Sequence, residues 1–346
     1  MLKIKYLQLI TLILTSVYSY SQHIIQTVAF YNLENLFDTV NDPEKLDELS
    51  PMMELKSNRE FVYQDKLSKL ASVLSEIGHH KNKLPPAVIG VVEVENLKVL
   101  EDLIATPPLS TYNYGIVHFD SPDKRGIDTA LLYLKKCYTP IFNEVFPVNL
   151  YKDNLRIDTR DILHSTGYLL NDKVHILVNH WPSRRGGVKK TTKLRQSIAK
   201  TLLMNIETIY TEDPDAKIII MGDFNDNPTN KSIKKILNAK ASKKKLQPKD
   251  LYNPFEKMYK KGHNTLVYRS ELFLFDQILF NRSFLSKNQH YSGFWFYKAG
   301  IHNPSYMTVS SGKYKGHPKR SFGGGKYLGG YSDHYPVYSY LLKENK

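Results

Sequence analysis

The sequence predicts an α/β fold in which β-sheets carry helices on their outer faces. Three observations support that expectation. Short runs rich in β-branched and aromatic residues recur along the chain, and two long segments repeat apolar residues at helical spacing. Two of the strand-like runs, 87–92 and 217–221, are almost continuously apolar. Such strands are buried on both faces, which places them in the middle of a covered sheet.

Taken in order, the first strand-like run covers 24–31. A helical segment follows over 58–77, where Leu67, Leu70, Leu74 and Ile77 recur every three or four residues and Gly78 supplies the stop. Strand-like runs then occupy 87–93, 112–119, 127–134, 162–170 and 174–180. The second helical segment, 189–210, aligns Leu194, Ile198, Leu202, Ile206 and Ile209 on one face. Further strands are expected at 217–221, 274–280, 291–296 and 334–341. Lys240, Lys243, Lys244, Lys245 and Lys249 make 238–250 read as a solvated loop. Segment 310–330, rich in Gly, Lys and Tyr, reads as a long, mobile surface loop of the kind that borders active sites.

Composition narrows the class of function. Among 346 residues, 41% are hydrophobic, 12% aromatic and 24% charged, which excludes disorder, collagen-like repeats and coiled coil. Lys plus Arg (48) outnumber Asp plus Glu (34), a net charge of +14. A field of that sign favours polyanions such as nucleic acid, phosphate esters or anionic membranes. The lone Cys137 rules out an internal disulfide, a cysteine zinc site and a CxxC redox pair. Residues 1–21 read as a secretory signal peptide: Lys3 and Lys5 precede an apolar run over 7–14, and Ser19, Tyr20 and Ser21 precede a cleavage expected between Ser21 and Gln22. That run falls short of the roughly 20 residues a membrane anchor needs, and no cysteine marks a lipid anchor. The mature chain, 22–346, is expected to be one domain, secreted or periplasmic, with no transmembrane segment and no implied protein partner.

Polar residues sit where the strands meet a rim. Asn32 follows 28–31, Glu93 follows 88–92, Asn179 and His180 follow 176–178, Asp223 and Asn225 follow 218–222, and Asp276 lies within 274–279. Ser332, Asp333 and His334 open the last strand instead. One such residue is an ordinary turn or cap; the recurrence is informative, because strand ends in one sheet can converge. The set is rich in oxygen donors and lacks thiols, so it selects hard cations, Mg²⁺, Mn²⁺ or Ca²⁺, over zinc. The histidines then remain free for proton transfer or phosphoryl binding.

Phe30-Tyr31-Asn32, Val92-Glu93-Val94, Asn179-His180-Trp181-Pro182, Gly222-Asp223-Phe224-Asn225-Asp226, Phe275-Asp276 and Ser332-Asp333-His334 stand in the order of the motifs of the endonuclease/exonuclease/phosphatase superfamily. The sequence resembles that superfamily over most of the mature chain. Asn32-Leu33-Glu34-Asn35-Leu36-Phe37-Asp38 and Arg125-Gly126-Ile127-Asp128 are similar to an exported bacterial branch. The resemblance implies a four-layer α/β sandwich, two packed mixed sheets with helices outside. It implies Asn32, Glu93 and Asp333 near a divalent metal, with Glu93 as the direct ligand. It also implies His180 at the scissile phosphate, Asp223 and Asn225 holding the attacking water, and His334 on a phosphoryl oxygen with its ring oriented by Asp276. Val92 replaces the glutamine usual before the metal glutamate. By strand alternation Glu95 shares the face of Glu93 and offers a further carboxylate.

Arg184 and Arg185, just after His180, either clamp phosphates flanking the scissile one or form a solvated loop. Arg125 either reaches the rim or makes a local ion pair. Lys313, Lys315, His317, Lys319, Arg320 and Lys326 precede Ser332 and suit nonspecific phosphate contacts. The expected activity is metal-dependent hydrolysis of DNA, with RNA as an alternative, by in-line attack of an activated water. The rivals are a phosphodiesterase or phosphatase of phospholipid head groups or small phosphate esters, and an inactive polyanion-binding module.

Overall fold

A computed structural model describes residues 23–244, 246–285 and 293–345. The expected signal peptide lies outside the described residues, as does the start of the expected strand 291–296. The opening strand β1 (His23–Leu36) pairs in parallel with β2 (Val88–Val94) through the crossover helix α1 (Arg59–Glu76). After helix α2 (Leu97–Ala105), strands β3 (Tyr114–His118) and β4 (Asp128–Leu134) extend the sheet antiparallel beyond β2.

The second sheet begins at β5 (Tyr138–Phe146), β6 (Ile162–Leu169) and β7 (Asp172–His180). Helix α3 (Val188–Glu212) crosses over to β8 (Ile218–Asp223), which lies parallel to β7. The short strands β9 (Ala239–Lys240) and β10 (Leu251–Tyr252) precede helix α4 (Phe255–Lys260), and β11 (Asp276–Asn281) then pairs antiparallel with β8. The chain returns to the first sheet with β12 (Trp295–Ile301) and β13 (Val337–Glu344), and β13 lies antiparallel to β1. The strand orders are β12-β13-β1-β2-β4-β3 and β9-β10-β11-β8-β7-β6-β5, both mixed. The architecture is the expected α/β sandwich.

Alternation explains how a continuous apolar strand serves two interfaces. In β8, Ile219 and Met221 join the core between the sheets, while Ile218 and Ile220 face a second core with Ile198, Leu202, Ile206 and Ile209 of α3. On the other side Leu67, Leu70 and Leu74 of α1 are fully enclosed. The sheets touch closely at Gly90 of β2: a Cβ there would lie 2.6 Å from Met221 Sδ and 3.2 Å from the Phe30 ring. A side chain would push the sheets apart, so glycine is required by space.

Three features depart from the sequence expectation. Strand β5 escapes the pattern because it is an edge: Ile141 and Phe142 are exposed, and Pro140, tolerated only at an edge, sits beside a register shift. Helix α2 is short and begins where the Asn96 side chain accepts from Val99 N at 3.0 Å, a cap signal present in the sequence. Segment 310–330 contains a small hairpin (Phe322–Gly323 with Lys326–Tyr327), and its Ser321 is wholly buried against α1 and β1. Among the described residues no helix is long and apolar enough to cross a membrane.

Candidate active site

The two parallel pairs, β1/β2 and β7/β8, deliver their C-terminal ends to one rim, and β11 begins there. Register does the rest. Asp223 at the end of β8 lies directly opposite His180 of β7 on one side and Asp276 of β11 on the other, so the three form a row. His334 closes that row from the approach to β13. Its Nδ1 lies 2.7 Å from Asp276 Oδ2, and its Nε2 lies 4.0 Å from both Asp223 Oδ2 and Asp333 Oδ1.

The first sheet contributes Asn32 and Glu93. The Asn32 amide donates to Glu93 Oε1 at 3.0 Å and to Asp223 Oδ2 at 3.2 Å, joining the two sheets through two carboxylates. His180 Nε2 stands 3.8 Å from those same two oxygens. Glu93, His180 and Asp223 therefore form one cluster able to hold a metal ion, and Asp223, Asp276 and His334 form a second. The Asn225 backbone N–H donates to Asp223 Oδ1 at 2.9 Å, and its side chain donates to the Trp181 carbonyl. The Asn32 carbonyl accepts from Ser332 Oγ, which in turn accepts from His334 N–H, so the N- and C-terminal portions are tied at the site.

Several backbones at the site are left-handed: Glu34 (φ 50°), Asn35 (φ 54°), Glu93 (φ 60°) and Asn225 (φ 48°). Asparagine accepts this conformation readily, but glutamate does not, so the surroundings must hold it there. At Glu93 the strand bulges, with its register shifting between Val92 and Val94. Glu93 thereby turns toward Asn32 and the Asn35 N–H, which it accepts at 3.1 Å. The bulge also breaks the alternation that would put Glu95 beside it. Glu95 instead accepts from Asp38 N–H at 2.7 Å, away from the cluster.

Electrostatics separates the two histidines. Burial and the charges of Arg160, Arg125 and His334 hold the His180 pKa well below the ordinary imidazole value, so it is neutral. Burial also opposes a charge on His334. Asp276, helped by Asp223 and Asp333, outweighs burial and keeps that imidazole protonated well above its usual range. Burial pushes Asp223 up to about 7, with Asp276 and Glu93 adding to the shift and His334 opposing it. Burial likewise raises Glu95 to about 8, reinforced by Asp38, Asp47 and Asp42.

The remaining residues expected at the site are arranged differently. Asp333 is 29% exposed and pairs with Arg320 Nη2 at 3.1 Å; it belongs to neither metal-capable cluster. Arg184 is turned inward, donating to the Asn225 carbonyl, Asp226 and Asn230, and its guanidinium lies over the rings of Phe273 and Phe275. Those partners occupy it as a brace of the loop after β8. Arg185 is exposed. Arg125 is half-exposed and held by Asp123 through Nε and Nη2, within electrostatic reach of Glu93.

Sequence reading missed the buried supports. Arg160 donates to Asp123 at 2.9 Å and to the Trp181 carbonyl at 3.0 Å, fixing the segment after His180. Glu34 accepts from the Ser321 and Phe322 N–H groups and from Arg320 Nε. Lys66 of α1, fully buried, donates to the Leu33 carbonyl and to Ser321 Oγ. Only an unusual charge within an otherwise apolar helical stripe could have flagged Lys66.

The profile of the endonuclease/exonuclease/phosphatase family matches residues 27–343. No curated protein matches the chain. Among solved structures, a family protein from Bacteroides thetaiotaomicron is 16% identical with a TM-score of 0.56, covering 93% of this chain and 96% of its own. A mannosyl-6-phosphatase from the same organism is 16% identical with a TM-score of 0.55, covering 91% and 99%. D. rerio TDP2, in a complex with single strand DNA product, is 15% identical with a TM-score of 0.54, covering 92% and 98%. The chain belongs to the endonuclease/exonuclease/phosphatase family.

Proposed function

We propose that this phosphoric-ester hydrolase is an exported, divalent-metal-dependent nuclease that cuts DNA, with RNA as an alternative substrate. In this reading residues 22–346 form one catalytic unit after removal of 1–21. The observation that carries the reading is the row His180, Asp223, Asp276 on neighbouring strands, closed by His334 and faced by Glu93 and Asn32. A phosphodiester is an anion that repels hydroxide, so its hydrolysis requires charge neutralisation and an aligned water.

The donor set fits a hard cation. Two carboxylate oxygens, from Glu93 and Asp223, converge on one amide and one imidazole nitrogen, with no thiol nearby. Glu93 would hold the ion, with Asn32 beside it keeping the Glu93 and Asp223 oxygens in place and Asp333 at the edge, and Mg²⁺ suits the oxygen-rich set, with Mn²⁺ or Ca²⁺ as substitutes. Such an ion supplies Lewis acidity toward a phosphoryl oxygen.

The chain's own groups then divide the work. Asp223, oriented by the Asn225 N–H, accepts the proton of the attacking water. The imidazolium of His334 donates to a non-bridging oxygen, with Asp276 maintaining both its charge and its ring orientation. Neutral His180 offers a lone pair or an N–H at the phosphate without adding a competing charge. Arg125 and Arg185 contact the phosphates on either side, and Arg184 keeps the Asp226 loop in place for them. The net charge of +14 supports a polyanionic substrate, as does the DNA product bound to the zebrafish neighbour.

A second reading, hydrolysis of a small phosphate ester, is favoured by the mannosyl-6-phosphatase of like fold. One comparison separates the two. The purified chain is incubated with supercoiled DNA, RNA, bis-p-nitrophenyl phosphate and mannose 6-phosphate, with Mg²⁺ or chelator, at two salt concentrations. The nuclease reading expects metal-dependent nicking that weakens steeply with salt, because each phosphate contact releases counterions. Turnover of the monoester alone, with little dependence on salt, overturns it. Export is checked by N-terminal sequencing of the mature protein, expected to start at Gln22.

A further inference from the structure

We propose that Arg320 is a substrate-binding residue that holds a phosphate neighbouring the scissile one, on the side of the pocket where His334 stands. The inference rests on the nuclease reading above and narrows its substrate to a strand that carries consecutive phosphates. The guanidinium stands one carboxylate away from the catalytic imidazolium: Asp333 Oδ1 lies 4.0 Å from His334 Nε2, and Asp333 Oδ2 lies 3.1 Å from Arg320 Nη2. An offset of that kind suits the next phosphate rather than the same phosphoryl oxygen. The second partner of Arg320 also leads back to the pocket. Arg320 Nε donates to Glu34 Oε1 at 3.3 Å, and the following residue, Asn35, donates its N–H to Glu93 at 3.1 Å.

Arg320 is fixed at its base and open at its tip. Gly330 passes so close that a Cβ there would lie 2.1 Å from the Arg320 carbonyl oxygen. The Tyr331 N–H donates to the Lys319 carbonyl at 2.6 Å, and the Leu328 N–H to the Ser321 carbonyl at 2.7 Å. Two carboxylates then aim a side chain that is still 51% exposed. Among the described residues the other N–H groups of the fork, those of Nη1 included, donate to no protein atom. Anchoring the loop does not require this side chain: Glu34 accepts from the Ser321 and Phe322 N–H groups, and Lys66 donates to Ser321 Oγ. Among the described residues, Arg320 is the one member of the set Lys313, Lys315, His317, Lys319, Arg320 and Lys326 that is held by carboxylates. A planar fork with free N–H groups matches phosphate oxygens, and one already held in place loses little freedom when it binds.

The test compares wild type, Arg320→Gln and Arg320→Lys with Mg²⁺ on thymidylyl-thymidine, whose single phosphate is the scissile one, and on its 5′-phosphorylated and 3′-phosphorylated forms. Arg320→Gln should lose about tenfold more kcat/KM on one of the phosphorylated forms than on the bare dinucleotide, chiefly through KM. Arg320→Lys, which keeps a charge without the fork, should lose less. Binding of a single-stranded oligonucleotide in chelator gives a readout without turnover. There the slope of log Kd against log salt should be smaller in Arg320→Gln by about 0.7, the share of one phosphate contact. Equal losses on all the dinucleotides overturn the proposal, as does an unchanged salt slope. A loss that extra Mg²⁺ restores also overturns it, because Arg320 would then act through Asp333 and the metal. If Arg320→Gln does not fold, Arg320→Lys decides: a preference for phosphorylated forms equal to that of wild type overturns the proposal. Wild type that cuts none of the dinucleotides and no longer strand sinks the nuclease reading and this inference with it; wild type that cuts them while the variants fail these criteria sinks the inference alone.

Discussion

The pair of His334 and Asp276 offers the sharpest test of the catalytic reading. Asp276→Asn keeps the shape of the side chain and a carbonyl oxygen for the ring N–H, but removes the charge. Opposite charges at 2.7 Å attract by about 6 kcal/mol at an effective dielectric of roughly 20. Both groups are interior, with Asp276 at 0% and His334 at 6% exposure, and withdrawing two ions from water offsets several kcal/mol of that attraction. A net preference of about 2–3 kcal/mol for the imidazolium remains, corresponding to roughly a hundredfold loss of rate once it is gone. The sign with pH follows. In wild type the raised His334 pKa keeps the donor charged across neutrality. In the variant the ring loses its proton at lower pH, so the ratio of variant to wild-type activity should fall as pH rises. Hydrolysis of bis-p-nitrophenyl phosphate from pH 5.5 to 9, with circular dichroism as the control, measures it. A variant within about threefold of wild type at every pH would refute the assignment.

Three further outcomes are expected. Arg160→Met should destabilise the chain by about 1–3 kcal/mol in urea titrations, because the Trp181 carbonyl loses its donor and Asp123 keeps only the half-exposed Arg125. His175, pushed down to about 4 chiefly by burial, stays neutral in the fold while the unfolded chain protonates near 6.5. Stability should therefore fall as pH drops from 6.5 to 4, by at most about 3 kcal/mol from this group, and His175→Gln should flatten that slope in denaturant titrations. Gly90→Ala should cost about 1–3 kcal/mol of stability, from overpacking against Met221 and Phe30, read as an earlier urea midpoint.

Much of the site was legible because its residues follow apolar runs: Glu93 after Val92 and Asp223 after Gly222 are visible by inspection. Their adjacency is not. Asp223 faces both His180 and Asp276 only because β8 inserts between β7 and β11, a long-range pairing that local pattern does not encode. Positions that depend on a bulge were also hidden. Alternation predicts Glu95 beside Glu93, and a single left-handed residue redirects it. Buried cations such as Lys66 and Arg160 look like surface residues until their partners, far along the chain, are known. The inward turn of Arg184 depends in the same way on Asp226 and on the rings of Phe273 and Phe275.

The pairing of His23 with Glu344, at the start of β1 and the end of β13, has a bearing on biosynthesis. Strand β1 stays unzipped along one border until the distant Val337–Glu344 has been polymerised. His334 arrives with that late segment, so a nascent or prematurely terminated polypeptide cannot assemble the pocket at all. Closure by such distant partners slows folding, and it also acts as a built-in delay: the capacity to attack phosphate esters arises only after His334 and β13 have been made.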